Sequence, residues 1–163
     1  MSRFKIEIKW AFIFFAMTLL WMVLEKLAGL HDKYIDMQYY LTNLYAIPAI
    51  LIYIYALLDK KKNYYNGQIN YLQGLISGII ITLIITVFSP LTQWIISNVI
   101  TPEYFINVIE ASVKGGHYET IEDVQKAFNF KNFAVQSTIF AFIMGIITTL
   151  IVAFFVKTKK AKL

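Results

Sequence analysis

Four long stretches of the chain are almost continuously apolar, at about residues 8–28, 39–58, 72–100 and 133–156. A helix that crosses a bilayer needs ~20 mainly apolar residues, so each stretch is long enough to span a membrane. The pattern predicts one all-α domain over residues 1–163, a polytopic membrane protein whose four transmembrane helices form an antiparallel bundle. Residues 101–132 are predicted to form a short external helical hairpin between helices 3 and 4. Pro90 in the third stretch is expected to kink or tilt its helix because proline removes a backbone donor.

The composition excludes the soluble and disordered classes. Hydrophobic residues make up 58% of the chain and charged residues 15%. Soluble domains are nearer ~45–50% apolar and ~25% charged, and disordered chains are poorer still in apolar residues. The first stretch is interpreted as a retained span, because no small-residue cleavage site follows it. The chain has no cysteine, so disulfides and thiolate metal sites are excluded.

Lysine and arginine fall mainly on one side of the predicted spans. That side carries ten basic residues against Glu7 and Asp59, a net charge of +8, and the other side has a net charge of −3. The ten are Arg3, Lys5, Lys9, Lys60, Lys61, Lys62, Lys157, Lys159, Lys160 and Lys162. Because basic loops stay in the cytoplasm and an even number of spans returns the chain to its starting side, both termini are predicted to be cytoplasmic.

Small residues recur at every fourth position in the third and fourth spans. The candidate helix-packing residues are Gly74, Gly78 and Thr82 in the third span and Ala141, Gly145 and Thr149 in the fourth. Helices in lipid associate by close packing, which small residues permit. We expect the third and fourth spans to pack antiparallel through these stripes, although a homodimer face would show the same spacing.

Polar residues near the predicted outer ends of the spans suggest a candidate pocket. These residues are Glu25, Asn43, Ser89, Gln93, Gln136 and Ser137. Ionisable residues in spans commonly mark functional sites, and Glu25 is the one acid considered to lie within a span. If these side chains face inward, Glu25 is a proton or cation ligand in a pocket open to the outside. The alternative is that Glu25 extends to the membrane interface.

No signature of catalysis, metal binding or nucleic-acid binding is found in the sequence. His31 and His117 are predicted to be loop residues, without the spacing of a metal site. We therefore expect no catalytic residues, no metal, no cofactor and no nucleic-acid partner, and we expect that the protein is not an enzyme.

The segments TPEYFINVIEASVKGG, FNFKNFAVQS and IMGIITTLIVAFFVKTKK resemble a family of small bacterial membrane proteins. The family is the uncharacterised, Bacteroidetes-type domain of unknown function 4199, and the resemblance covers most of the chain. It implies four spans in a bacterial cytoplasmic (inner) membrane and no assigned activity. It identifies no functional residue.

Three classes of function remain open at this point. The first is a non-enzymatic accessory or scaffold subunit, whose partners are the lipid bilayer and either a second copy of the chain or another membrane protein. The second is a small-solute or ion transporter or channel that uses the pocket around Glu25. The third, a lipid-modifying enzyme, has the least support because few acids or bases are placed to serve it.

Overall fold

The computed structural model describes residues 4–116 and 121–158, and their regular structure is entirely helical. The helices are α1 (Lys5–Leu27), α2 (Ile35–Leu41), α3 (Ala46–Asn63), α4 (Tyr71–Ile95), α5 (Tyr104–Lys114), α6 (Ile121–Ala127) and α7 (Phe130–Val156). A 3₁₀ turn, Thr42–Tyr45, joins α2 to α3, and a π-helical turn, Ile96–Ile100, extends α4. The all-α prediction is confirmed.

Four helical stretches of the described chain are long and apolar enough to cross a membrane: Lys5–Leu27, Ile35–Asn63, Tyr71–Ile100 and Phe130–Val156. They correspond to the four predicted spans. The ends at residues 100 and 156 coincide with the prediction, and the other ends differ by one to five residues. The second stretch differs most, because Ile35–Leu41 precedes the predicted start as a separate short helix and α3 continues into its lysines. Many apolar side chains on these helices are exposed, which is the pattern expected of helices that face lipid.

The closest contact in the bundle is between α4 and α7, which run antiparallel. A Cβ added at Gly74 would lie 3.2 Å from the Cβ of Ala153. One turn further along α4, the backbone of Gly78 faces Thr149, and at the next turn Thr82 faces Gly145. Each step of four residues along α4 is therefore matched by a step of four back along α7.

Helices α1 and α3 complete the bundle around this pair. Tyr53, Ala56 and Leu57 of α3 are fully buried, and they pack with Ala11 of α1 and with Ile81 of α4. Phe14 of α1 packs edge-on against the Tyr53 ring. Glycine, alanine and threonine line the contact between α4 and α7, so these two helices pack more closely than α1 and α3 do.

The start of α1, the α3–α4 loop and the end of α7 lie at the same end of the bundle. Lys9 donates a hydrogen bond to Asp59, which joins the start of α1 to the end of α3. The backbone of Ile69 exchanges two hydrogen bonds with Thr158, at 2.8 and 2.9 Å. The ends of α1, α3 and α7 that carry the described lysines of the basic clusters are thus together, and we call this the basic end: Lys5, Lys9, Lys60, Lys61, Lys62 and Lys157.

The opposite end of the bundle, which we call the acidic end, is covered by shorter elements. The Tyr104 hydroxyl of α5 donates a hydrogen bond of 3.0 Å to Gln38 of α2. Asn107 of α5 donates one of 2.9 Å to the carbonyl of His31. Helix α5 therefore docks on the α1–α2 segment, while α6 contacts α5. Of the predicted external segment 101–132, residues 117–120 lie outside the described part of the chain.

Candidate functional site

The six polar residues of the predicted pocket do not converge. Ser89 donates a hydrogen bond of 3.3 Å to Ser137, which joins α4 to α7. Asn43 and Gln136 are exposed, and the Asn43 amide bonds to the carbonyl of Tyr39 in its own turn. The Gln93 amide bonds to Ser97 one turn further along the same helix. Hydrogen bonds therefore connect only the two serines among these six residues.

Glu25 instead belongs to a buried cluster at the acidic end, together with His31. The Glu25 carboxylate is 3% exposed and accepts a hydrogen bond of 2.6 Å from the indole of Trp21, one turn earlier on α1. Its other oxygen lies 3.1 Å from Nε2 of His31. Glu25 is thus buried within the protein and does not extend to the membrane interface.

The turn after α1 brings His31 over Glu25. The amide of Leu30 bonds to the carbonyl of Glu25, and Gly29 has a φ of +76°, which a residue with a side chain rarely adopts. This tight reversal returns the imidazole of His31 to the end of α1, where it is 4% exposed. His31 was expected to be an ordinary loop residue, and it does lie in a turn, but the structure places its ring inside the protein.

His31 also links the bundle to helix α5. Its ring packs edge-on against Tyr104 with 5.4 Å between centroids, and its carbonyl accepts the bond from Asn107. Burial raises the pKa of the Tyr104 hydroxyl, and the nearby charge of Glu25 adds to the rise. Nδ1 of His31 is buried without a hydrogen-bond partner within the described chain. We therefore assign the tautomer in which Nε2–H donates to Glu25 and Nδ1 carries no hydrogen, because this tautomer leaves no buried N–H group without an acceptor.

A second buried cluster, at the basic end, was missed by sequence reasoning. Nζ of Lys60 lies 2.8 Å from Oε1 of Glu7, and the Ser77 hydroxyl donates a bond of 2.7 Å to the same carboxylate. Glu7 is 1% exposed and Lys60 3% exposed. The lysine ammonium also lies 3.9 Å from the ring centroid of Tyr64. Both residues had been counted as charges flanking the spans, whereas they form an ion pair between α1 and α3 that α4 completes.

The spacing along α1 contains a signal that could have identified both clusters. Glu7, Ala11, Phe14, Thr18, Trp21 and Glu25 follow one another at alternating steps of four and three residues. These steps keep the six on one face of a helix. An acid at each end of a stripe that also carries Ala11 and Thr18 indicates the inward face, so both acids were predictable as buried.

Hydroxyl groups occupy the interior between the two clusters. The hydroxyls of Tyr53 and Thr82 are 2.8 Å apart, and those of Thr18 and Tyr45 are 2.7 Å apart. Thr149 is buried, and its hydroxyl has no partner within the described chain. The interior of the bundle therefore carries polar groups along its length, most of them bonded to one another.

Two cavities lie at the surface, with volumes of about 430 and 420 Å³. The larger lies between α4 and α7 beside Pro90, and the smaller between the α1–α2 segment and α5 beside Asp36 and Glu110. Neither cavity is lined by Glu7, Glu25, His31 or Lys60. Within the described residues, no three His, Asp or Glu side chains are grouped so that they could hold a metal ion.

Comparison with known proteins places the chain in a family without assigning an activity. No curated protein and no solved structure matches it. A family model does match, over residues 9–158, which covers nearly all of the four long helices and every residue of the two buried clusters except Glu7. Since this match extends over nearly the whole chain, the protein belongs to the family described as protein of unknown function (DUF4199).

Proposed function

We propose that this protein is an accessory or scaffold subunit of a bacterial inner membrane, without enzymatic activity, that acts through helix–helix contacts with a second copy or another membrane protein. The observation that carries the proposal is the pairing of the buried polar groups. Glu7 with Lys60, and Glu25 with His31 and Trp21, satisfy one another inside the bundle. The polar interior is thus used to hold the helices together, and apolar helix faces remain for contact with lipid or partners.

The same proposal places the basic end in the cytoplasm. The fold gathers the basic clusters at one end of the bundle, and such clusters are retained on the cytoplasmic side during insertion. Helices α5 and α6, with the acidic residues around them, then face away from the cytoplasm.

A labelling experiment tests this orientation. The chain has no cysteine, so Gln68→Cys in the α3–α4 loop and Lys114→Cys in α5 each introduce a single exposed thiol. We expect a membrane-impermeant maleimide to label Lys114→Cys in cells whose inner membrane is intact, and to label Gln68→Cys only after the membrane is opened. The opposite pattern would contradict the orientation and leave the fold unaffected.

Photocrosslinking tests the scaffold function. A photoreactive amino acid is placed at one exposed position on each long helix: Leu20, Tyr55, Val87 or Phe155. We expect protein crosslinks, to the chain itself or to one partner, from one or two of these helices, and lipid adducts from the others. Lipid adducts at all four positions, repeated at the next exposed turn of each helix, would count against the scaffold function.

The second candidate function is transport of an ion or small solute, and the cluster at Glu25 favours it. Nδ1 of His31 is a buried polar atom that has no partner among the described residues, and it lies beside a buried carboxylate, which is an arrangement found in proton pathways. The purified chain in vesicles with a pH-sensitive dye distinguishes the two candidates. If the protein is a scaffold, vesicles that contain it should show the same proton flux as empty vesicles. A larger proton flux that Glu25→Gln abolishes would favour transport.

A further inference from the structure

The cavity of about 430 Å³ is an apolar groove on the side of the bundle that faces the membrane. Its walls come from Pro90 of α4 and from successive turns of α7, namely Phe130, Lys131, Ala134, Val135, Thr138 and Ile139. Pro90, Val135 and Ile139 are exposed. Behind the groove, the hydrogen bond between Ser89 and Ser137 keeps α4 and α7 together.

The dimensions of the groove suit an acyl chain. Phe130 to Ile139 covers ten residues of α7, a rise of about 14 Å at ~1.5 Å per residue. The groove therefore runs from the membrane interface, where α7 begins, through most of one leaflet, whose hydrocarbon is roughly 15 Å thick. A transmembrane helix is ~10 Å wide and needs a longer face, so it fits this groove poorly.

The mouth of the groove is positively charged. Lys131 lies in the first turn of α7 and is exposed, so its ammonium can reach the headgroup layer. The amino-terminal end of α7 adds a partial positive charge at the same level. The cationic mouth lies at the level of a phospholipid's phosphate, and the apolar walls lie at the level of its acyl chain.

We propose that this groove binds an anionic glycerophospholipid, with one acyl chain along α7 against Pro90 and the phosphate at Lys131. The inference needs only that α7 spans the membrane, and it is independent of the proposed scaffold function. The lipid would reach the site from the leaflet at the acidic end of the bundle.

Native mass spectrometry of the full chain tests the proposal. The detergent-purified protein is mixed with phosphatidylglycerol or phosphatidylcholine of the same acyl composition. We expect about fivefold more retained phosphatidylglycerol, the factor that one lysine near an anionic headgroup contributes. Lys131→Gln should remove this preference, and Val135→Trp, which fills the groove from an exposed position, should reduce the adducts of both lipids.

Two matched controls separate the groove from general lipid contact. Lys126→Gln removes an exposed lysine outside the groove, and Val87→Trp enlarges a side chain that is 75% exposed elsewhere on α4. Both variants should bind as the unmodified chain does. Equal retention of the two lipids, or retention that neither Lys131→Gln nor Val135→Trp changes, overturns the proposal. A dimer that Val135→Trp dissociates while lipid adducts persist overturns it as well, because the occupant is then a second copy.

Discussion

Lys60→Met is expected to lower the free energy of unfolding by about 3–5 kcal/mol, the usual cost of removing one partner of a buried ion pair. The carboxylate of Glu7 is 1% exposed and would keep only the bond from Ser77. Methionine fills nearly the volume of the lysine stem, so the decrease in the free energy of unfolding would come from the unpaired charge of Glu7 rather than from a cavity. Denaturation of the purified protein in detergent, followed by circular dichroism, measures the effect.

Two further variants distinguish the ion pair from a general effect of losing a lysine. Lys62→Met removes an exposed charge two residues later on α3 and should change stability by less than about 0.5 kcal/mol. The double variant Glu7→Gln/Lys60→Met removes both charges of this pair and should recover most of the loss. Equal losses in Lys60→Met and Lys62→Met would show that the pair contributes little.

Gly78→Ala is expected to destabilise the bundle by about 1–3 kcal/mol through overpacking, although alanine normally favours a helix. The added Cβ would lie 2.6 Å from the hydroxyl oxygen of Thr149, so α4 and α7 would have to separate. Gly145→Ala should behave similarly, because its Cβ would lie 2.7 Å from the hydroxyl oxygen of Thr82. Unfolding in detergent measures both variants.

A rescue and a graded control make this prediction specific. Thr149→Ala removes the two closest atoms, one of them a hydroxyl oxygen that has no partner among the described residues, so Gly78→Ala/Thr149→Ala should recover most of the stability. Gly74→Ala should cost less than Gly78→Ala, because its Cβ would stand 3.2 Å from that of Ala153. The close-packing explanation fails if Gly74→Ala and Gly78→Ala have the same effect, or if Thr149→Ala brings no recovery.

The helix packing and the candidate pocket differ in how far the sequence could predict them. The repeat of small residues at every fourth position marks one face of α4 and one face of α7, and the structure sets these faces together at Gly78 and Gly145. The prediction of the pocket rests only on position along the spans, because all six polar residues lie near the predicted outer ends. Depth says nothing about the direction in which a side chain points, so Asn43 and Gln136 face outward while Glu25 faces inward.

The two buried clusters show the same distinction for charged residues. Glu7 and Lys60 stand near span ends, where the sequence suggests solvated charges that set topology. Both side chains point into the bundle, where they form an ion pair. The stripe on α1 could have predicted that Glu7 is buried, whereas its partner, 53 residues away on α3, depends on how α1 and α3 pack.

The sequence by itself determined the four apolar helices of span length, the helical class and the concentration of basic residues at one end of the bundle, because these properties follow from local apolar length and from charge counts. The spacing of small residues also marked the faces on which α4 and α7 meet. Only the tertiary structure decided that Lys60 neutralises Glu7, and that the Gly29 turn returns His31 to Glu25 and joins α5 to the bundle. The physical reason is that buried charges are stabilised by partners from other elements, and such pairings follow from the packing of whole helices.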